Sequence, residues 1–364
     1  MNNTSRYITL ALVVVGIAGA IIYLESLKPE QAPPQESEIA IEENPEQTEE
    51  VATIIAEKEQ EYERAKELVD PGEFINAEPF TIADLIGKQI IMVDFWTYSC
   101  INCQRTTPYL NAWHDKYGDQ GLTIIGVHTP EFEFEKDLDN LNKAVEKFEI
   151  EYPVVQDNDY KTWRAYKNRY WPRKYIIDID GFIVYDHIGE GAYEETEKII
   201  QELLEERAER LNEEFMPTMP ELEKDPETDS QSRSPEVYLG ESQTKLPANR
   251  APGQEGYSQL ENRETPRLDE LNLVGDWTIT DEYATNTSED AEIVYRYRAK
   301  NVFMVASAEK GSTIQVYQDG VLVGTQTVQD DQLYILIEDE EYGEHLLEIL
   351  VEDPGFKAFT FTFG

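Results

Sequence analysis

Ile90-Ile91-Met92-Val93-Asp94-Phe95-Trp96-Thr97-Tyr98-Ser99-Cys100-Ile101-Asn102-Cys103 is the stretch on which the reading of this chain turns. Its first seven residues are a mostly apolar run of strand length, as expected of a strand buried on both faces. A polar helical stretch, Cys103 to Tyr117, follows. The only two cysteines of the 364 residues form one C-x-x-C between that strand and that helix. A zinc site would need further ligands, and His114, His128, His187 and His345 are scattered without metal-ligand spacing. Metal is therefore not expected. Two cysteines are also too few for a disulfide scaffold. The choice is between idle buried thiols and a redox pair. A helix N-terminus stabilises a thiolate, so the position favours redox chemistry.

Outward from this stretch, residues 73–211 alternate strand and helix signals. Leu122 to Val127 is a second apolar strand, and Leu138 to Phe148 an amphipathic helix. Tyr175-Ile176-Ile177-Asp178 and Phe182-Ile183-Val184-Tyr185 flank Asp180-Gly181, a hairpin signal, and Glu194 to Leu211 is a charged helix. The pattern predicts an α/β domain with a mixed sheet. Residues 212–234 are polar and proline-bearing and predict a linker. From 235 to 364 seven short strands follow without helices, among them Glu292 to Tyr297, Val302 to Val305, Tyr334 to Ile337 and Leu347 to Val351. They predict an all-β sandwich or jelly roll. Its aromatics (Tyr238, Trp277, Tyr283, Tyr295, Tyr297, Tyr317, Tyr334) suit a core at strand spacing, or stacking on sugar rings. Asn286-Thr287-Ser288 is a glycosylation sequon expected in a loop.

Toward the N-terminus, residues 7–24 carry no charge and are just long enough to span a bilayer as a helix. Arg6 precedes the run and glutamates follow it, so residues 1–6 are expected in the cytoplasm and the rest outside. Cleavage after Ala18-Gly19-Ala20 is the alternative. Residues 25–50, rich in glutamate and proline, read as an extended spacer, and 51–72 as a helical pre-segment with its helix over Val51 to Val69. The whole chain has 31 basic against 74 acidic residues, a net charge of −43. A nucleic-acid partner is thereby excluded, since binding needs a basic face. With 40% hydrophobic residues, wholesale disorder is excluded too.

Val93-Asp94-Phe95-Trp96-Thr97-Tyr98-Ser99-Cys100-Ile101-Asn102-Cys103 with Pro108 resembles the thioredoxin superfamily. Within it, VHTPEFEFEKD, YPVVQDNDYKTWRAYKNRYWPRKYIIDIDG and GEGAYEETE are similar to the extracytoplasmic TlpA group and its DipZ-type members. Ser234 to Gly240 is similar to the start of the DipZ C-terminal domain, a jelly roll like a carbohydrate-binding module. The resemblance covers about residues 73–364 and implies a thiol–disulfide oxidoreductase that cycles between a Cys100–Cys103 dithiol and disulfide, without a further cofactor. It implies that Cys100 is the nucleophile, Cys103 the resolving thiol and Asp94 a buried acid that takes the Cys103 proton. It places Pro172 as the cis-proline, with Trp171 and Trp96 beside the substrate groove, and by its charge and its place next to that proline Arg173 is expected there too. Disulfide-containing exported proteins are the implied substrates, and a CcdA/DsbD-like membrane protein the implied electron donor. A cell-surface glycan is the implied ligand of the C-terminal domain.

This sequence departs from the family at Ile101-Asn102, where ordinary thioredoxins have Gly-Pro, and at Ser99, Thr106 and Trp171. Two other readings stay open. A peroxiredoxin-like peroxidase would need Pro-x-x-x-Thr-x-x-Cys, which is absent before Cys100. A surface glycan- or protein-binding module with a vestigial thioredoxin domain is the non-enzymatic one. Finally, Lys161, Arg164, Lys167, Arg169, Arg173 and Lys174 form a basic stretch without an acid. It is either positive potential beside the thiols or a solvated face.

Overall fold

The apolar run Ile90–Trp96 becomes the central strand, β3, and every one of its residues is buried. In the computed structural model, which describes residues 45–216, 233–241, 256–260 and 266–364, it is flanked by neighbours on both sides. On one side it pairs in parallel with β4 (Leu122–His128), which pairs in parallel with β5 (Val154–Gln156). On the other it pairs antiparallel with β6 (Arg173–Ile177), then β7 (Phe182–Ile188). Two-residue edge strands complete a seven-stranded mixed sheet: β1 (Glu63–Arg64) on β7 and β2 (Phe74–Ile75) on β5. Strand alternation sends Ile90, Met92 and Trp96 into one core and Ile91, Val93 and Phe95 into another. The first core also takes α3 (Ile101–Tyr117) and α6 (Tyr193–Leu211) through Leu110, Trp113, Ile200 and Leu204. The thioredoxin-like α/β fold is thus present. The Asp180-Gly181 hairpin forms as well, and Gly181 turns at φ +85°. A side chain there would meet Ile86 at 2.8 Å.

One boundary differs. The first described helix, α1, spans Pro45–Glu61 and so begins inside the stretch read as spacer. Proline loses nothing at the first helical position, where the missing N–H has no partner anyway. The helix stops before Val69 because Glu63 and Arg64 pair with Ile183 and Phe182 as the sheet's edge. The chain divides between residues 54 and 55, and all that follows concerns the described residues of the unit 55–364. The charge-free run 7–24 lies outside the described residues, as do residues 217–232 of the linker. Among the described residues no helix is long and apolar enough to cross a membrane.

Among the described residues from Val237 onward the regular structure is all β, with nine strands hydrogen-bonded into one sheet. Two of the short strands expected from sequence are halves of β12 (Ala291–Ser307), and two others are halves of β15 (Gln332–Val351). No glycine or proline interrupts β12, and register shifts at Ala299–Phe303 bend it without ending it. β12 pairs with β10 (Leu271–Ile279), with β15 and with β16 (Lys357–Phe363), which closes the sheet on itself through β11 (Ala284–Asn286). Trp277, Tyr295 and Tyr297 are fully buried inside it, each worth about 1.5–3 kcal/mol of apolar burial. The asparagine of the sequon is buried too, though Thr287 is exposed: Asn286 donates to the Ser288 and Asp353 carbonyls and accepts from the Gly355 and Phe356 amides.

The two domains share an apolar cluster. Ile101 and Phe132 of the α/β domain pack with Phe303, Val305, Leu333 and Phe359 of the β domain. Phe359 meets Phe132 and Phe134 edge-on at ring distances of 5.1 and 5.0 Å. Polar contacts flank the cluster: Lys147 Nζ donates to Gln332 Oε1 at 2.8 Å and Glu133 N to Glu282 Oε1 at 3.1 Å.

Candidate active site

Cys100 caps the N-terminus of α3 with an extended backbone (φ −78°, ψ 119°), so its side chain stands at the positive end of the helix. It is half-buried, whereas Cys103, one turn on, is 2% exposed. Both thiols are free. Burial pushes the Cys103 thiol well above its ordinary range, and the neighbouring Cys100 adds to this. The thiol open to a partner is therefore the first, and the second is held protonated until something takes its proton. Pro108 sits inside α3 and leaves the Gln104 carbonyl without its amide. The Thr106 and Thr107 hydroxyls donate to the Asn102 and Cys103 carbonyls at 2.9 and 3.0 Å, which steadies the first turn.

Parity along β3 puts Asp94 on the same face as Met92 and Trp96, the face that holds Cys103. It is 2% exposed, and Oδ1 has no hydrogen-bond partner among the described residues. Burial pushes its carboxyl up to about 7, while Lys174 pulls the other way. Lys174 is its cross-strand neighbour on β6 and is fully buried. It donates to the Gly189 carbonyl at 3.3 Å and stands 5.8 Å from the Tyr193 ring. On the other side Asp94 faces Gly126 of β4. A side chain at Gly126 would meet Trp96 Nε1 at 2.9 Å and Tyr152 at 3.1 Å, so the glycine makes room for both rings beside the buried acid.

The Trp171–Pro172 peptide is cis. It brings the Trp171 carbonyl to 3.9 Å from Cys100 Sγ, within reach of a weak S–H donor. The Trp171 indole donates to the Thr129 carbonyl at 3.0 Å and lies against Trp163 at a ring distance of 4.4 Å. Trp96 is buried edge-on to His128, and burial pushes His128 down to about 3, so that ring is neutral. Arg173 does not join the thiols. It pairs with Asp186 at 2.6 Å and lies over the Tyr175 ring, on the sheet face opposite Lys174. The rest of the basic stretch is dispersed: Lys161 pairs with Asp70 and Asp159, and Lys167 with Glu63. Only Arg169 of that stretch lines the cavity at Cys100.

Glu135 lies within the VHTPEFEFEKD motif but was given no role from sequence, yet it organises the site. Fully buried, it accepts from Ser99 N and Oγ at 3.2 and 2.7 Å and from the amides of Glu131 and Phe132 at 2.5 and 3.0 Å. One carboxylate thereby ties the loop before Cys100 to the loop that meets the β domain. Burial raises its pKa. A glutamate three residues after a helix-capping position is the pattern that would have pointed to it. Among the described residues no group of three or more potential ligands is placed to hold a metal ion.

Residues 64–186 match the AhpC/TSA family, and residues 234–364 match the thioredoxin-like C-terminal domain. Protein DipZ of Mycobacterium tuberculosis is 32% identical over 289 residues, 79% of this chain. The chain spans 40% of that protein's length. The thiol-disulfide oxidoreductase YkuV of Bacillus subtilis is 30% identical over 140 residues, 38% of this chain and 93% of its own length. ResA of Bacillus cereus, also named a thiol-disulfide oxidoreductase, is 29% identical over 136 residues, 35% of this chain and 76% of its own.

Proposed function

This chain belongs to the thioredoxin superfamily, in its TlpA/DipZ-like branch, and on that premise we propose that it is a membrane-tethered thiol–disulfide oxidoreductase that reduces disulfides of exported polypeptides. The observation that carries the chemistry is the asymmetry of the pair: a half-buried Cys100 at a helix start, and a buried Cys103 on the same face as a carboxyl raised to about 7.

The Cys100 thiolate attacks one sulfur of the substrate disulfide. That bond breaks, a mixed disulfide to Cys100 forms, and the first substrate sulfur leaves and takes a proton. Cys103 then gives its proton to ionised Asp94, and its sulfur attacks Cys100 Sγ. The second substrate thiol leaves, two electrons have passed to the substrate, and Cys100–Cys103 is a disulfide. Restoring the dithiol takes two electrons and two protons, for which a CcdA/DsbD-like membrane dithiol is the proposed source. The tether rests on the charge-free run at residues 7–24 and the acidic, proline-bearing stretch after it.

Cys100→Ser is expected to abolish reduction of insulin disulfides, and activity at the wild-type level overturns the reading. A reduction potential near about −270 mV supports the reducing direction, and one near about −120 mV reverses it. Protease digestion of intact cells tests the tether, with the C-terminal domain expected to be cut from outside.

A further inference from the structure

We propose that the β domain is the second wall of the active site and restricts Cys100 to disulfides carried on unfolded polypeptide segments. This rests on the oxidoreductase reading above and adds the substrate class.

Cys100 does not sit on an open surface. It lies in a cavity of about 250 Å³ bounded on one side by Trp171, Arg169 and Glu131, and on the other by Tyr238, Val305 and Thr362 of the β domain. That volume is below the roughly 300–1,000 Å³ of ordinary small-molecule sites. The far wall is held in place from inside the motif. Ile101, next to the nucleophile, is 8% exposed because it is buried among Phe303, Val305 and Phe359. A hydrogen bond of 2.5 Å from the Tyr238 hydroxyl to Glu131 Oε1 spans the two domains at the cavity. Arg105, on the same helix as both thiols, stacks over Phe303 at 5.2 Å. The wall is therefore packed against the helix that carries the cysteines.

The geometry of a disulfide turns this into a substrate filter. A disulfide joins two backbone segments whose Cα atoms are about 5.5–6 Å apart. In a folded protein both segments are fixed in a surface, and bringing their sulfur to Cys100 drives that surface into Val305 and Thr362. In an unfolded chain one half-cystine enters the cavity on a single extended segment while its partner trails outside.

The test uses the full chain with dithiothreitol as reductant. Its substrate is a small protein bearing one exposed disulfide, offered folded or unfolded by a destabilising substitution. Rates are normalised to reduction by dithiothreitol alone. The unfolded form is expected to be reduced about a hundredfold faster than the folded form. Val305→Ala with Thr362→Ala widens the cavity and is expected to shrink that ratio about tenfold. Thr362→Trp is expected to slow the unfolded substrate about tenfold. A wild-type ratio near unity overturns the filter, and so does a ratio unmoved in widened variants whose thermal unfolding matches wild type. Bis(hydroxyethyl) disulfide separates the two layers. If it is reduced while folded and unfolded forms react alike, the filter alone falls. If no disulfide is reduced, the oxidoreductase reading falls and takes the filter with it.

Discussion

The two domains bury different things. Inside the α/β domain lie Asp94, His128, Glu135, Asp157, Lys174, Asp178, Glu197 and Arg207, all ionisable side chains. Among the described residues of the β domain the buried polar side chains are serine, threonine, asparagine and tyrosine, and none of them is charged at neutral pH. Burying a charge costs far more than burying a hydroxyl or an amide, which one or two hydrogen bonds satisfy. A domain that keeps charge in its core, much of it around one C-x-x-C, retains it at a cost in stability. The β domain, with an apolar interior and satisfied amides, bears no such cost. The difference separates the part that carries chemistry from the part that shapes its access.

The largest test of this contrast is Asp94→Asn. The reaction is expected to slow about a hundredfold, because Cys103 loses its proton acceptor. Stability should move the other way. A carboxyl raised by folding from near 4 to about 7 adds stability that is complete below its unfolded value and is lost as pH rises through about 7. At pH 8 the wild type therefore carries a penalty of about 4 kcal/mol that asparagine removes, while at pH 4 the two proteins should match. Urea unfolding at both pH values measures it, and equal stability at pH 8 breaks the contrast.

Asn286→Ala asks the same question of the β domain. Four side-chain hydrogen bonds are lost and the buried Phe356 amide is left without its acceptor, while the Gly355 amide keeps the Asn286 backbone carbonyl, so about 2 kcal/mol of stability should go, seen as a lower Tm. Insulin reduction at 25 °C should stay at the wild-type rate.

The smallest effect expected is that of Lys174→Met. Without the buried cation, ionised Asp94 loses its attractive neighbour, and the acid limb of the pH–activity profile should move about one pH unit toward alkaline. An unmoved limb would show that Lys174 serves packing alone.

Much of this was legible along the chain. Strand β3, the hairpin and the helix after Cys100 are local matters of period and turn chemistry, and their ends stand within three residues of where the pattern puts them. The C-x-x-C was legible because the chain has no other cysteine to confuse it. What was illegible depends on direction in space. Arg173 and Lys174 are adjacent, and strand alternation sends one to a surface ion pair with Asp186 and the other into the core opposite Asp94. A linear run of positive charge cannot distinguish them. The halves of β12 read as two strands because the bend between them is a register shift stabilised by partners far along the chain. Asn286 read as a loop sequon because its four hydrogen-bond partners include residues nearly seventy positions away.

Sequence by itself determined the α/β pattern, the all-β second half, the lone thiol pair and the acid on the strand before it, since each is written in local periodicity or composition. Only the tertiary structure decided that the β domain stands over Cys100, that Ile101 is its anchor and that Glu135 ties the two loops together. Those contacts join residues more than a hundred positions apart, or turn on which way a buried side chain points, and no local pattern encodes either.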